Sequence, residues 1–160
     1  MQNVTVLCVG KLKEKFYADA CAEYQKRLTR CCKLSLVELS EERLGESPTP
    51  AQIEAALERE AAAIWERLPR GATVVALCVE GNGLSSEQLA ETLARCATNG
   101  TGRIAFLIGG SFGLAERVKR AADMRLSMSP MTFPHHLARV MLLEQLYRAY
   151  QIQNNTKYHK

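Results

Sequence analysis

The sequence predicts an α/β domain with a largely parallel sheet flanked by helices. Three observations carry that expectation. Strand-like and helix-like segments alternate along the chain; the strand-like runs Val4–Val9 and Thr73–Val79 are apolar almost throughout; and no linker interrupts the 160 residues. Alternating elements build crossover units of parallel strands and covering helices. A parallel strand buried on both faces reads as a continuous apolar run. A chain of this length is expected to form one domain, residues 1–160, burying roughly two-thirds of its unfolded surface.

Val4–Val9 is read as the first strand, ended by Gly10. Phe16, Ala20, Tyr24 and Leu28 recur every four residues and predict one face of a helix. Leu34–Leu39 reads as a second strand, and Glu41–Pro50, with its glycine and prolines, as a loop. Thr49, Pro50 and Gln52 then give a capping hydroxyl, a proline at the first helical position and an amide at the third. Ile53, Leu57, Ala61, Ile64 and Leu68 supply that helix's apolar face, and Pro69-Arg70-Gly71 ends it. Thr73–Val79 is expected as a central strand, Ser85 and Gln88 repeat the capping spacing ahead of Leu89 and Leu93, and Ile104–Ile108 is a fourth strand. Leu126–Met128 reads as a short fifth strand, followed by a last helix with Pro134 in its first turn. Apolar residues from Leu137 to Tyr150 spread more widely than one face, so this helix needs neighbours on two sides, in the domain or from a second subunit.

Composition excludes several classes. Hydrophobic residues at 47% and charged residues at 24% exclude a disordered chain. Val4–Val9 is too short to span a bilayer or to form a signal-peptide core, so a cytoplasmic protein with no membrane partner is expected. The six cysteines include no Cys-x-x-Cys pair and no histidine at ligand spacing, which argues for reduced thiols and no metal. The net charge of +4 divides unevenly: residues 1–102 sum to −2 and residues 103–160 to +6. A basic C-terminal third suits a polyanion, since each Lys or Arg near a phosphate releases counterions.

Ligands of parallel sheets bind where strands end in loops. Three such segments stand out: Leu77-Cys78-Val79-Glu80-Gly81-Asn82-Gly83, Leu107-Ile108-Gly109-Gly110-Ser111-Phe112-Gly113, and Leu126 to Pro134. The glycines of the second let backbone approach a ligand or another chain segment closely. Neither a Gly-x-Gly-x-x-Gly fingerprint nor a Gly-x-x-x-x-Gly-Lys phosphate loop is present. His135, His136 and His159 form no metal pattern and no nucleophilic triad.

Phe106 to Leu114, Leu126 to His135, Glu144 to Ala149 and the closing Tyr158-His159-Lys160, in this order, resemble the SPOUT-class family that methylates N3 of a pseudouridine in large-subunit ribosomal RNA, the RlmH type. The resemblance covers nearly the whole chain. It implies an S-adenosylmethionine-dependent 23S rRNA methyltransferase acting on the assembled ribosome, with a C-terminal trefoil knot, a homodimeric assembly, no metal, and RNA rather than DNA as partner. Carried over by motif, Leu77, Gly109 and the run Met128-Ser129-Pro130-Met131-Thr132-Phe133 hold the methyl donor. Arg139, Arg148 and Lys160 are expected on RNA, with Arg139 and Arg148 on phosphate or on the developing negative charge of the base. Tyr158 and His159 are expected to stack against or orient the pseudouridine, His159 being the better candidate to accept its proton. Two residues depart from the pattern. Asn82 stands where Lys is common, and Lys157 replaces a Pro before the terminal Tyr-His; weaker RNA contact and a more mobile tail would follow.

Two other readings compete. Glu80-Gly81-Asn82-Gly83 after a strand imitates the cofactor loop of a Rossmann-like methyltransferase, although that loop normally follows a first strand. A ribosome-binding factor without catalysis would use the basic face alone.

Overall fold

The computed structural model describes residues 1–160, with ten elements. In chain order they are β1 (Asn3–Val9), α1 (Lys15–Leu28), β2 (Lys33–Leu39), α2 (Pro50–Arg67), β3 (Thr73–Gly83), α3 (Ser86–Thr98), β4 (Ile104–Ile108), α4 (Glu116–Ala121), β5 (Met124–Ser127) and α5 (His135–Gln153). The five strands form one parallel sheet in the order β2-β1-β4-β3-β5. β4, buried at every residue, occupies the centre; β3 lies beside it.

Alternation along β1 shows how one strand serves two cores. Val4, Val6 and Cys8 enter a cluster with Cys21 and Leu28 of α1, Leu89 and Leu93 of α3, and Leu142, Leu143 and Leu146 of α5. Leu7 and Val9 point the other way, toward Ala61 and Ile64 of α2 and Val118 of α4. The sheet is thus covered by α1, α3 and α5 on one face and by α2 and α4 on the other. Burial of the β1 and β4 side chains on both faces is the main stabilising term, at roughly 1.5–3 kcal/mol for each large aliphatic residue.

Both helix starts read as capping boxes form them. Thr49 Oγ1 accepts from the Gln52 N–H while Gln52 Oε1 accepts from the Thr49 N–H, and Ser85 with Gln88 repeats the arrangement. In α1, by contrast, Phe16 is 66% exposed; the buried stripe runs through Cys21, Tyr24 and Leu28 instead. α4, which has a single buried side chain, Val118, has no counterpart among the sequence expectations. α5 finds its two neighbours within the chain, lying between α1 and α3. No helix is long and apolar enough to cross a membrane.

Candidate active site

β3, β4 and β5 are adjacent and parallel, so their C-terminal ends open on the same side of the sheet. The three segments singled out above follow those ends and line one cavity of about 500 Å³. Leu77, Gly109, Met128, Ser129, Met131, Thr132 and Phe133 all face it; Pro130 does not. Cys78, Glu80 and Ser111 of those segments and His135 beyond the third also line the cavity, and so does Lys119, which no sequence signal marked.

Each loop is shaped by a local constraint. A Cβ on Gly109 would lie 2.3 Å from the backbone of Gly113, so only glycine fits there. Gly113 itself has φ +79°, and its N–H closes a turn onto the Gly110 carbonyl at 3.0 Å. The turn is anchored from outside: Glu41 accepts the Ser111 N–H at 2.7 Å, and a Cβ on Gly110 would meet that same carboxylate at 2.6 Å. Glu41 lies in a segment read only as a loop, and nothing local in the sequence marks its distant target.

The segment read as a loop after the third strand is part of β3. Leu77 pairs with Leu126 of β5, and Asn82 pairs with Leu126 again, so Cys78 to Gly81 bulge out between the two pairings. A bulge leaves residues unpaired and re-aims their side chains. It brings Cys78, Val79 and Glu80 to the cavity wall. A Cβ on Gly81 would lie 2.8 Å from the Arg125 backbone, which explains glycine at the tightest point. Beyond β5, the Ser127 hydroxyl donates to the Ser129 carbonyl and the Met131 N–H donates to Ser129 Oγ, both at 3.0 Å, fixing the third wall.

Arg139 is not where the resemblance puts it. Its side chain is only 1% exposed; Nη1 donates to Glu38 at 2.7 Å and Nη2 to the Gly10 carbonyl at 3.0 Å. It ties α5 to the ends of β1 and β2 and presents no surface to a phosphate or a base. Burial opposes ionisation of Glu38, but the hydrogen bond and charge of Arg139 outweigh it and hold the carboxyl below the usual carboxylate range. Next to this pair, burial and then the charge of neighbouring His136 lower the pKa of His135, at the cavity rim.

Arg148, Tyr158 and His159 come together away from the cavity. The tail turns back at Asn155, with φ +53°, and the Thr156 N–H donates to the Gln151 carbonyl at 3.0 Å. Tyr158 packs edge-on against Tyr147 under the Arg148 guanidinium, with its hydroxyl donating to Glu144 at 3.1 Å. Burial, then that hydrogen bond, raises the phenol above its ordinary pKa. Arg148 pairs with Glu144 at 2.6 Å and meets His159 Nδ1 at 3.3 Å, while His159 Nε2 meets Glu87 at 2.7 Å. Arginine only donates, so Nδ1 is the acceptor and the Nε2 proton goes to Glu87. Both ring nitrogens are engaged in this arrangement. Lys160 ends the chain, exposed. Lys157 is exposed, between Thr156, whose N–H donates to Gln151, and Tyr158, which packs on Tyr147.

The cofactor-loop imitation fails on topology. Glu80-Gly81-Asn82-Gly83 lies within β3 and makes no strand-to-helix turn, and the order β2-β1-β4-β3-β5 differs from the Rossmann arrangement. A five-stranded parallel sheet with a ligand-sized cavity built by the loops after three adjacent strands is the architecture of a SPOUT-type methyltransferase. The family model described as "Predicted SPOUT methyltransferase" matches residues 2–159, and the chain belongs to that family. It is 43% identical over 158 residues to "Ribosomal RNA large subunit methyltransferase H" of Clostridioides difficile (strain 630), with 99% of each chain covered. It is 46% identical over 158 residues to the protein of the same name from Bifidobacterium animalis subsp. lactis (strain AD011), again with 99% of each covered. Among solved structures, a probable methylase family protein from Haemophilus influenzae Rd KW20 shares the fold at TM-score 0.55 and 16% identity, over 99% of this chain and 71% of that one.

Proposed function

We propose that this enzyme transfers a methyl group from S-adenosylmethionine to N3 of a pseudouridine in 23S ribosomal RNA, on the assembled ribosome in the cytoplasm. The observation that carries the reading is the convergence of the three strand-end segments on one cavity, in a chain that matches the large-subunit rRNA methyltransferases end to end. The cavity fits the donor. Its volume lies in the range of small-molecule sites, its lining mixes apolar side chains with glycine backbone, and Gly109 keeps one wall free of a side chain. Leu77, Gly109, Met128, Ser129, Met131, Thr132 and Phe133 would hold it there. Bound S-adenosylmethionine supplies the methyl group on a sulfonium, an excellent leaving group. The protein's work is then to align acceptor and donor and to let the N3 proton depart.

Arg148 and Lys160 are the RNA contacts in this reading, and Tyr158 and His159 orient the looped-out base, the form in which single bases are read. Arg139, buried on Glu38 and the Gly10 carbonyl, has no part in it. The cavity shares no residue with the tail cluster, which supports a homodimer in which one subunit's tail serves its partner's donor site. The family's trefoil knot, with the C-terminal segment threaded through a loop, belongs to the same reading.

Large ribosomal subunits and ribosomes incubated with labelled donor and the enzyme, followed by mass-spectrometric mapping, test it. Label on N3 of a pseudouridine is expected. Label on ribose or on another base overturns the substrate, and no label with no heat of donor binding overturns the activity.

A further inference from the structure

The cavity wall carries an acidic and a basic side chain, Glu80 and Lys119, and they are paired at 2.5 Å. They come from different elements: Glu80 from the bulge of β3, Lys119 from α4. Lys119 is mostly buried, its side chain 17% exposed, while Glu80 is half exposed at 51%. The other titratable lining groups are Cys78, whose thiol burial pushes above its ordinary pKa, and His135, which burial keeps less basic. Everything else in the lining is apolar, glycine or a neutral polar group. Such a surface suits an adenine and a ribose. It leaves one location able to meet formal charge.

A half-exposed ion pair contributes little to folding by itself. This one sits where an extended β-bulge has moved its acid out of the sheet ladder and a lysine has given up most of its hydration. The methyl donor, under the reading above on which this inference rests, ends in an α-ammonium and an α-carboxylate separated by one carbon. Laid head to tail against a fixed ion pair, such a zwitterion places each charge beside its opposite. Lysine has three N–H donors, so Lys119 can keep Glu80 and take a second carboxylate; Glu80 has lone pairs to spare for an ammonium.

We propose that Glu80 and Lys119 form the subsite for the donor's aminoacyl end, Glu80 receiving the α-ammonium and Lys119 the α-carboxylate. The pair selects ligands that carry an amino-acid zwitterion over nucleosides that lack one. Because the demethylated product keeps the same end, the subsite holds donor and product alike and leaves discrimination between them to the groups around the sulfur.

Calorimetry on the full-length protein tests this with two ligands, S-adenosylhomocysteine and methylthioadenosine, the second carrying the nucleoside and sulfur without the amino acid. Lys119→Met and Glu80→Gln are each expected to weaken S-adenosylhomocysteine by about tenfold or more, the loss of one charge-assisted contact, and to leave methylthioadenosine unchanged. Lys119→Arg, which keeps the charge, is expected to retain most of the S-adenosylhomocysteine affinity. Retained methylthioadenosine binding also reports that the variants are folded. Equal losses for both ligands in variants with native melting curves, or no loss for S-adenosylhomocysteine, overturn the subsite while leaving the donor cavity intact. Failure of the unaltered protein to bind either ligand overturns the donor reading itself, and this inference with it.

Discussion

Arg139 shows how a residue's type can mislead when its position is ignored. Positive charge in a basic C-terminal third suggested RNA, yet Arg139 is spaced from Leu142, Leu143, Leu146, Ala149 and Tyr150 as the core stripe of α5 requires, and it is buried with them. The spacing was in the sequence; the partner Glu38, about a hundred residues earlier, was not. Replacing Arg139 with Met should lower unfolding free energy by about 1–3 kcal/mol in urea titrations, at the lower end because Glu38 keeps access to water. Donor affinity in the folded fraction should change little. A stable variant with lost RNA binding would restore the RNA role. Gly109→Ala should act oppositely on the two readouts: its Cβ meets the Gly113 backbone, so the loop must shift and donor binding should fall at least tenfold, about 1.4 kcal/mol. His135 makes stability depend on pH. Its folded pKa is depressed, so as pH falls through the free-histidine value of about 6.5 the unfolded chain takes up the proton first and stability drops, levelling once the folded form is protonated too. Glu38 adds a second loss lower down: its stabilisation is complete above the unfolded carboxylate value of about 4.3 and disappears as pH falls through its lower folded value. Urea midpoints measured from neutral pH downward should show the first step, and His135→Asn should remove it; a flat profile through that window would refute it.

Elements marked by local chemistry were legible, and those defined by distant pairing were not. The capping boxes at Thr49 and Ser85 act within three residues, so the sequence displays them whole. Thr49→Ala and Ser85→Ala should each cost about 1 kcal/mol, read as a lower melting temperature. The limits of β3 depend on Leu126 being paired twice, which no pattern within residues 73–83 reveals. α4 is too short for a periodic stripe: Val118 is its one buried side chain, and its ion pairs, Arg117 with Glu58 and Lys119 with Glu80, reach residues distant in sequence. The three glycine- and proline-marked segments were visible as unusual loops, and the structure brings them together because their strands are neighbours. Glu41, which pins the Gly110–Ser111 turn, was illegible for the converse reason: an acidic residue in a loop looks the same whether or not its partner lies seventy residues on.

For the whole molecule, the separation of cavity and tail predicts separable defects. Removing Asn154–Lys160 should leave S-adenosylhomocysteine affinity unchanged and abolish methylation of ribosomes, since no tail residue lines the cavity. Weaker donor binding in the truncated protein would place the tail inside the donor site. The two ends of the chain are also fastened to each other: the Tyr150 hydroxyl donates to Gln2 Oε1 at 2.8 Å, Gln2 Nε2 donates to the Leu93 carbonyl at 3.2 Å, and β1 pairs with β4 at Val4 and Ile104. During synthesis the first strand therefore emerges long before its central neighbour exists, and the helix that seals its face is the last element made. The core on that face cannot close until α5 has emerged. Until then β1 can use β2, α1 and α2 but lacks the α5 side chains that close its other core, and a nascent chain stalled before α5 should be a target for holding chaperones and should lack protease resistance.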